Sequence, residues 1–232
     1  PVHAGLHVFF HMLKHILFDN DGTLVDSEII AVRASLSLLG ESGFRMSEAE
    51  YSRRFPGLLE RDILDIISRE YGIRIPDDYF NRLRTLHVEG FKRELRAIAG
   101  MPTIFKNLKT PKSVVSNGSA GHVDRCLRHV RLRHALDGGI FSAEQVERPK
   151  PHPDVFELAL ETLRLKPQET LVVEDSPTGV TAAKKAGLRV VGFLGAAHIF
   201  DGHDEKLLEC GADHIAADAK ELTSLFEQYG VL

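Results

Sequence analysis

Four short apolar runs punctuate the chain, and each stops abruptly at polar residues. They are His15–Phe18 (HILF), Lys112–Ser116 (KSVVS), Thr170–Glu174 (TLVVE) and residues 189–194 (RVVGFL). Runs this short, rich in β-branched residues and lacking an alternating polar face, predict strands buried on both sides. Between them, apolar residues recur at helical spacing over stretches that include 124–130, 155–163 and 180–186. Alternation of this kind predicts an α/β fold, a Rossmann-like, doubly wound parallel sheet with helices on both faces. Ligands of such sheets bind outside the carboxyl ends of the strands, and there the polar residues of this chain gather.

Between residues 28 and 100 the texture changes. No strong β run occurs, and helical periodicity over 30–39, 63–71 and 79–95 is broken by Gly43, Pro56-Gly57 and Ile75-Pro76. An all-helical block directly after the first strand predicts a small inserted α-helical cap over residues 29–97. The catalytic core is then discontinuous, over residues 12–28 and 98–232. Residues 1–11 hold an apolar stretch interrupted by histidines and too short to span a bilayer. Met12 stands just ahead of the first strand, so residues 1–11 read as an upstream remnant.

Composition narrows the possible partners. A net charge of −4 and a pI near 6.3 give no electrostatic reason to expect nucleic acid. With 27% charged residues the chain does not read as a membrane protein. Cys126 and Cys210 lie far apart and form no metal-type cluster, so a reducing, cytoplasmic setting is expected. No heptad run or apolar surface stripe stands out, and a monomer is the expectation.

Four constellations at the strand ends can carry chemistry. Asp19-Asn20-Asp21-Gly22-Thr23 sets two carboxylates on a sharp turn, where they can converge on a metal or a phosphate. A polar turn is the plain alternative; a calcium loop of the EF-hand type fails on its glycine position and missing closing glutamate. Ser116-Asn117-Gly118-Ser119 offers a hydroxyl and backbone amides at a helix start, either a phosphate cradle or an ordinary cap. Lys150 sits among Pro149, Pro151 and Pro153, aimed by a restrained backbone or simply solvated. Glu174-Asp175 ends an apolar strand, where paired acids are costly without a cation.

In this order and spacing the four segments resemble the four motifs of the haloacid dehalogenase-like hydrolase superfamily, over a region from about His15 to Ile215. The resemblance implies a phosphatase that needs magnesium (Mg2+) and acts on a small phosphorylated metabolite. It implies Asp19 as nucleophile and Asp21 as general acid and base, with Ser116 and Lys150 holding the transferring phosphoryl group. Asp19, the Asp21 carbonyl and Asp175 are similar to the metal ligands, supported by Glu174. Gly22, Thr23, Asn117 and Gly118 fall at phosphate-binding positions. Asp21 separates the chain from the dehalogenases and the phosphonate-cleaving branch, which lack this acid.

The continuation Asp26-Ser27-Glu28 and the turn Arg54-Phe55-Pro56-Gly57 resemble the beta-phosphoglucomutase-like subgroup, which includes 6-phosphogluconate phosphatases. Mutases of that subgroup carry a histidine where this chain has Ala31 and a lysine where it has Pro56. Both differences favour hydrolysis, with a phosphoglucomutase-type phosphotransferase or a non-catalytic binding protein as alternatives. Within the cap, Gly57 and Arg54 are the expected substrate contacts, and Arg53, Arg61, Arg82 and Arg84 are further candidates. The scattered histidines show no metal-ligand pattern.

Overall fold

The computed structural model of the protein describes residues 13–55, 58 and 60–232. Residues 1–12 and the expected contact Gly57 lie outside the described residues. β1 (His15–Phe18) is followed by four helices, α1 (Glu28–Glu41), α2 (Glu48–Arg54), α3 (Glu60–Tyr71) and α4 (Tyr79–Glu94). The chain then runs through α5 (Met101–Asn107), β2 (Lys112–Ser116), α6 (Ala120–His129) and β3 (Ile140–Ser142). α7 (Asp154–Leu163), β4 (Thr170–Glu174), α8 (Pro177–Lys185) and β5 (Arg189–Phe193) follow. α9 (His203–Glu209), β6 (His214–Ala216) and α10 (Ala219–Tyr229) complete it.

The six strands form one parallel sheet in the order β3-β2-β1-β4-β5-β6. Alternate residues of the strands face opposite layers of helices. Ile16, Phe18, Val114 and Val173 pack into one core with Phe105 and Phe226. Leu17, Val115 and Val172 pack into the other with Val155 and Phe156. Each such side chain contributes roughly 1.5–3 kcal/mol by leaving water, which explains why these runs show no polar face. Register pairs Phe18 with both Val114 and Val173, so Asp19, Ser116 and Glu174-Asp175 emerge together at one edge of the sheet.

α1 to α4 carry a hydrophobic cluster of their own that includes Leu38, Leu39, Tyr51, Ile67 and Tyr79. The two segments joining this helical insert to the sheet run side by side. Asp26 N donates to Arg96 O at 3.0 Å and Ile98 N to Leu24 O at 3.0 Å. Among the described residues, no helix is long and apolar enough to cross a membrane.

Candidate active site

Asp19 N donates to Val173 O at 2.9 Å, carrying the ladder of β1 one residue past the strand. The chain then turns at once, with Leu24 N and Val25 N both donating to Asn20 O and Gly22 N to Val25 O. Gly22 has φ +84°, and a Cβ there would overlap the Asp175 carboxylate, so both backbone and space demand glycine. Thr23 Oγ1 donates to Asp175 Oδ1 at 3.1 Å, tying the turn to the end of β4.

Lys150 is the hub of the charges. Its Nζ donates to Asp19 Oδ1 at 2.6 Å, Glu174 Oε1 at 2.9 Å and Val115 O at 2.8 Å. All these groups are buried, as is Asp175 beside them. Burial alone would strip the proton from Lys150, but the charges of Asp19 and Glu174 outweigh it and hold the ammonium above its ordinary range. Burial drives the Asp19 and Asp175 carboxyls well upward; Lys150 opposes the rise at Asp19, and the Glu174 charge adds to it at Asp175. Glu174 Oε2 accepts from Ser176 N at 2.6 Å and Ser176 Oγ at 3.0 Å, and a Cβ on Gly179 would overlap this carboxylate.

Asp21 faces the cleft from the turn. Ser27 Oγ donates to its Oδ1 at 2.6 Å, and His122 Nε2 lies 3.5 Å from the same oxygen. Burial works to raise the Asp21 carboxyl, yet His122 and Ser27 together hold it below its usual range, while Asp21 pushes the His122 imidazole up. On β2, Ser116 Oγ accepts from Gly118 N at 2.9 Å, which leaves its own proton free to be donated. The capping role of the segment falls to Ser119, which accepts from His122 N. Asn117 bonds the lysine loop instead: its Nδ2 donates to Lys150 O at 3.1 Å and its Oδ1 accepts from Lys150 N at 2.9 Å.

These residues floor a cleft of about 780 Å³, lined also by Ala31, Tyr51, Ser52, Glu60, His87 and Phe91 of the insert. The volume suits a small metabolite. Asp19, Asp21, Ser116, Asn117, Gly118, Lys150, Glu174 and Asp175 all line it, with Gly22 and Thr23 packed against Asp175 behind. Arg54 is not brought into it. Its guanidinium pairs with Glu70 and lies over the Phe55 and Tyr71 rings, and Arg53, Arg61, Arg82 and Arg84 do not line the cleft either.

Three histidines gather at the acids. Besides His122, His198 Nε2 lies 3.3 Å from Asp175 Oδ2, and His203 Nε2 is 2.6 Å from Asp175 O. Burial holds both imidazoles below the usual range, so they face Asp175 as neutral rings. His122 had a local cue, since it falls in the first turn of the helix opened by Ser119. His198, on the loop after β5, and His203, which opens α9, are brought close only by the tertiary fold.

The donor set fits a hard divalent cation. Asp19 and Glu174 share one buried ammonium, Lys150, with Asp175 buried beside them, so three acids face a single protein cation where water is scarce. Among the described residues no three His, Cys, Asp or Glu side chains are grouped so as to hold a metal ion by themselves. An ion here would rest on the Asp19 and Asp175 carboxylates and waters, the open oxygen ligation that magnesium favours.

Known proteins resemble this chain over most of its length. The family model described as "Haloacid dehalogenase-like hydrolase" matches residues 16–193. The chain is 29% identical over 187 residues to the 6-phosphogluconate phosphatase of Escherichia coli (strain K12), covering 80% of this chain and 85% of that protein. It is 30% identical over 207 residues to the phosphorylated carbohydrates phosphatase of Thermotoga maritima, covering 86% and 92%. A HAD family hydrolase from Deinococcus radiodurans R1, crystallised with bound phosphate and sodium, superposes with a TM-score of 0.87 at 28% identity, over 95% of this chain and 98% of that one.

Proposed function

Because the chain belongs to the haloacid dehalogenase-like hydrolase family, we propose that it is a magnesium-dependent phosphatase that hydrolyses a sugar phosphate or similar small monoester through a phospho-aspartate on Asp19. The observation that carries this reading is the buried Asp19–Lys150 pair at the mouth of β1, open to the cleft. The ammonium aligns one carboxylate oxygen and offsets the repulsion between that carboxylate and an incoming phosphate.

Asp19 attacks phosphorus, forming a P–O bond as the bond to the ester oxygen breaks, and Asp21 gives that oxygen a proton. Asp21 is held as a carboxylate, so the proton it gives comes from His122, whose Nε2 lies 3.5 Å from Asp21 Oδ1. Asp21 then takes a proton from water, whose oxygen bonds to phosphorus as the bond to Asp19 breaks, releasing inorganic phosphate. Ser116 donates to the phosphoryl oxygens, and Lys150, whose three N–H donors are held by Asp19, Glu174 and Val115 O, offsets their charge. Asp19, Asp175 and the Asp21 carbonyl, with Glu174 behind them, would hold magnesium, which would add to the neutralisation of the phosphoryl charge. Asn117 acts through the Lys150 backbone. The insert, residues 29–97, serves as a cap hinged at the paired segments near Asp26 and Arg96. Ala31 lines the cleft where related mutases carry a histidine, which supports hydrolysis over phosphoryl relocation.

The test is phosphate release from a panel of sugar phosphates, nucleotides and an aryl phosphate, in magnesium or EDTA, for the native sequence and Asp19→Asn. Magnesium-dependent turnover that Asp19→Asn abolishes is expected. Undiminished turnover in EDTA, or by Asp19→Asn, overturns the reading.

A further inference from the structure

The cleft wall contributed by the insert has a chemical character of its own. Glu60 Oε1 accepts from Ser35 Oγ at 2.9 Å and from Tyr79 Oη at 2.6 Å, and no cation pairs with Glu60 among the described residues. Tyr51 is 4% exposed, and its hydroxyl, Ser52 Oγ and His87 Nε2 are buried with no hydrogen-bond partner among the described residues. A buried polar atom left unpaired costs about 1–3 kcal/mol. All three belong to residues lining one cleft, with the atoms themselves just beneath its surface.

Charge decides which ligand. The insert's arginines turn outward: Arg33 pairs with Glu48, Arg82 with Glu41 and Arg54 with Glu70. Among the described residues, Lys150 is the single lysine or arginine lining the cleft, and it is bound to Asp19 and Glu174 on the floor. The proton of His122 is directed at Asp21. Burial holds the His87 imidazole below its usual range, so it offers a neutral nitrogen. A second anion on the substrate would therefore meet Glu60 with no cation to receive it. A hydroxyl both donates and accepts, and suits tyrosine, serine, imidazole and carboxylate alike.

Resting on the phosphatase reading, we infer that the wall formed by Tyr51, Ser52, Glu60 and His87 selects phosphate esters whose remote end is an uncharged polyol, and rejects esters that carry a second anion there. Specificity of this kind combines attraction for hydroxyls with repulsion of the wrong partner.

The test is calorimetric binding, in magnesium, of a hexitol 6-phosphate and the aldonic acid 6-phosphate of the same carbon skeleton. The proteins are Asp19→Asn and Asp19→Asn with Glu60→Gln. The hexitol ester should bind Asp19→Asn about tenfold or more tighter, and Glu60→Gln should narrow that ratio at least about threefold by admitting the acid. Should Glu60→Gln fail to fold, Ser52→Ala replaces it and should weaken the hexitol ester more than it weakens inorganic phosphate. Equal or inverted affinities, no binding of either ester, or a ratio indifferent to these substitutions overturns the inference. Phosphate release from an aryl phosphate by the protein with native Asp19 tests the phosphatase reading apart. A protein inactive there that keeps the binding preference breaks that reading alone, whereas an active one that prefers the acid breaks this inference alone.

Discussion

On the floor of the cleft the four charged residues are held by the protein itself. Lys150 is shared between Asp19, Glu174 and a backbone carbonyl, and Asp175 takes a hydrogen bond from Thr23. On the wall, Tyr51, Ser52 and His87 carry buried polar atoms without protein partners among the described residues. The contrast follows from what each surface must do on the proposed reading. Groups that act on phosphorus gain from being fixed before the substrate arrives, because reorganisation then adds nothing to the barrier. Groups that choose the substrate must keep bonding capacity for it, and their cost is recovered when it binds.

The largest effect should come from breaking the floor. Lys150→Met leaves the buried Asp19 and Glu174 carboxylates without their shared cation. Phosphate release should fall by about 10³-fold. Urea unfolding in EDTA should show a loss of about 3 kcal/mol, part of which saturating magnesium restores by supplying the missing positive charge. Activity within tenfold of the native protein would mean that the floor is not organised around this lysine.

Gly22→Ala tests the same surface through the backbone. The new Cβ must overlap the Asp175 carboxylate at a φ of +84°, displacing both the turn and the acid. A shift of about 1 Å at reacting groups costs on the order of 10²-fold in rate, and kcat should carry the loss. An equal fall confined to KM would reassign Gly22 from alignment to binding.

His15, at the far end of β1, supplies a reference of known sign for stability measurements on the floor. Burial holds its imidazole down at about 4, against the opposing charge of Asp137, and Ser113 Oγ bonds it at 2.8 Å. The unfolded chain binds this proton more readily than the folded one, so stability rises with pH between about 4 and 6.5. The full span is worth about 3 kcal/mol, complete above pH 6.5 and lost as pH falls toward 4. Urea unfolding at pH 4.5 and 7.5 should show most of this dependence, and His15→Gln should remove it. A variant with the native pH dependence would place the titrating group elsewhere.

How much of this was legible beforehand follows the same division. β1, β2, β4 and β5 are visible because strands buried on both faces leave uninterrupted apolar runs, and the floor residues sit immediately beyond them. β3 (Ile140–Ser142) left no such run, since three residues at the sheet edge need little hydrophobic commitment. α2 (Glu48–Arg54) hides for a related reason: it buries only Tyr51 and starts from the Ser47 cap. The wall was illegible because Ser35, Tyr51, Glu60 and His87 come from four different helices. No local period records which of their polar atoms end up facing one cleft. Arg54 misled for the opposite reason, being prominent in sequence beside a turn yet already paired.

The smallest effect is therefore the sharpest probe of the wall. Arg54 is exposed, pairs with Glu70, and has its guanidinium 5.7 Å from the Phe55 and Tyr71 ring centroids. An exposed pair of this kind contributes little, so Arg54→Ala should keep kcat/KM within about twofold for esters with charged and uncharged remote ends alike. If the insert instead swung Arg54 inward to receive a second anion, the same substitution would cost an aldonic acid phosphate far more than a hexitol phosphate. Steady-state kinetics on that pair of esters separates the two cases. A selective loss would mean that the cation missing from the wall arrives by movement of the insert. The surface that recognises substrate would then not be the one Tyr51, Ser52 and His87 define.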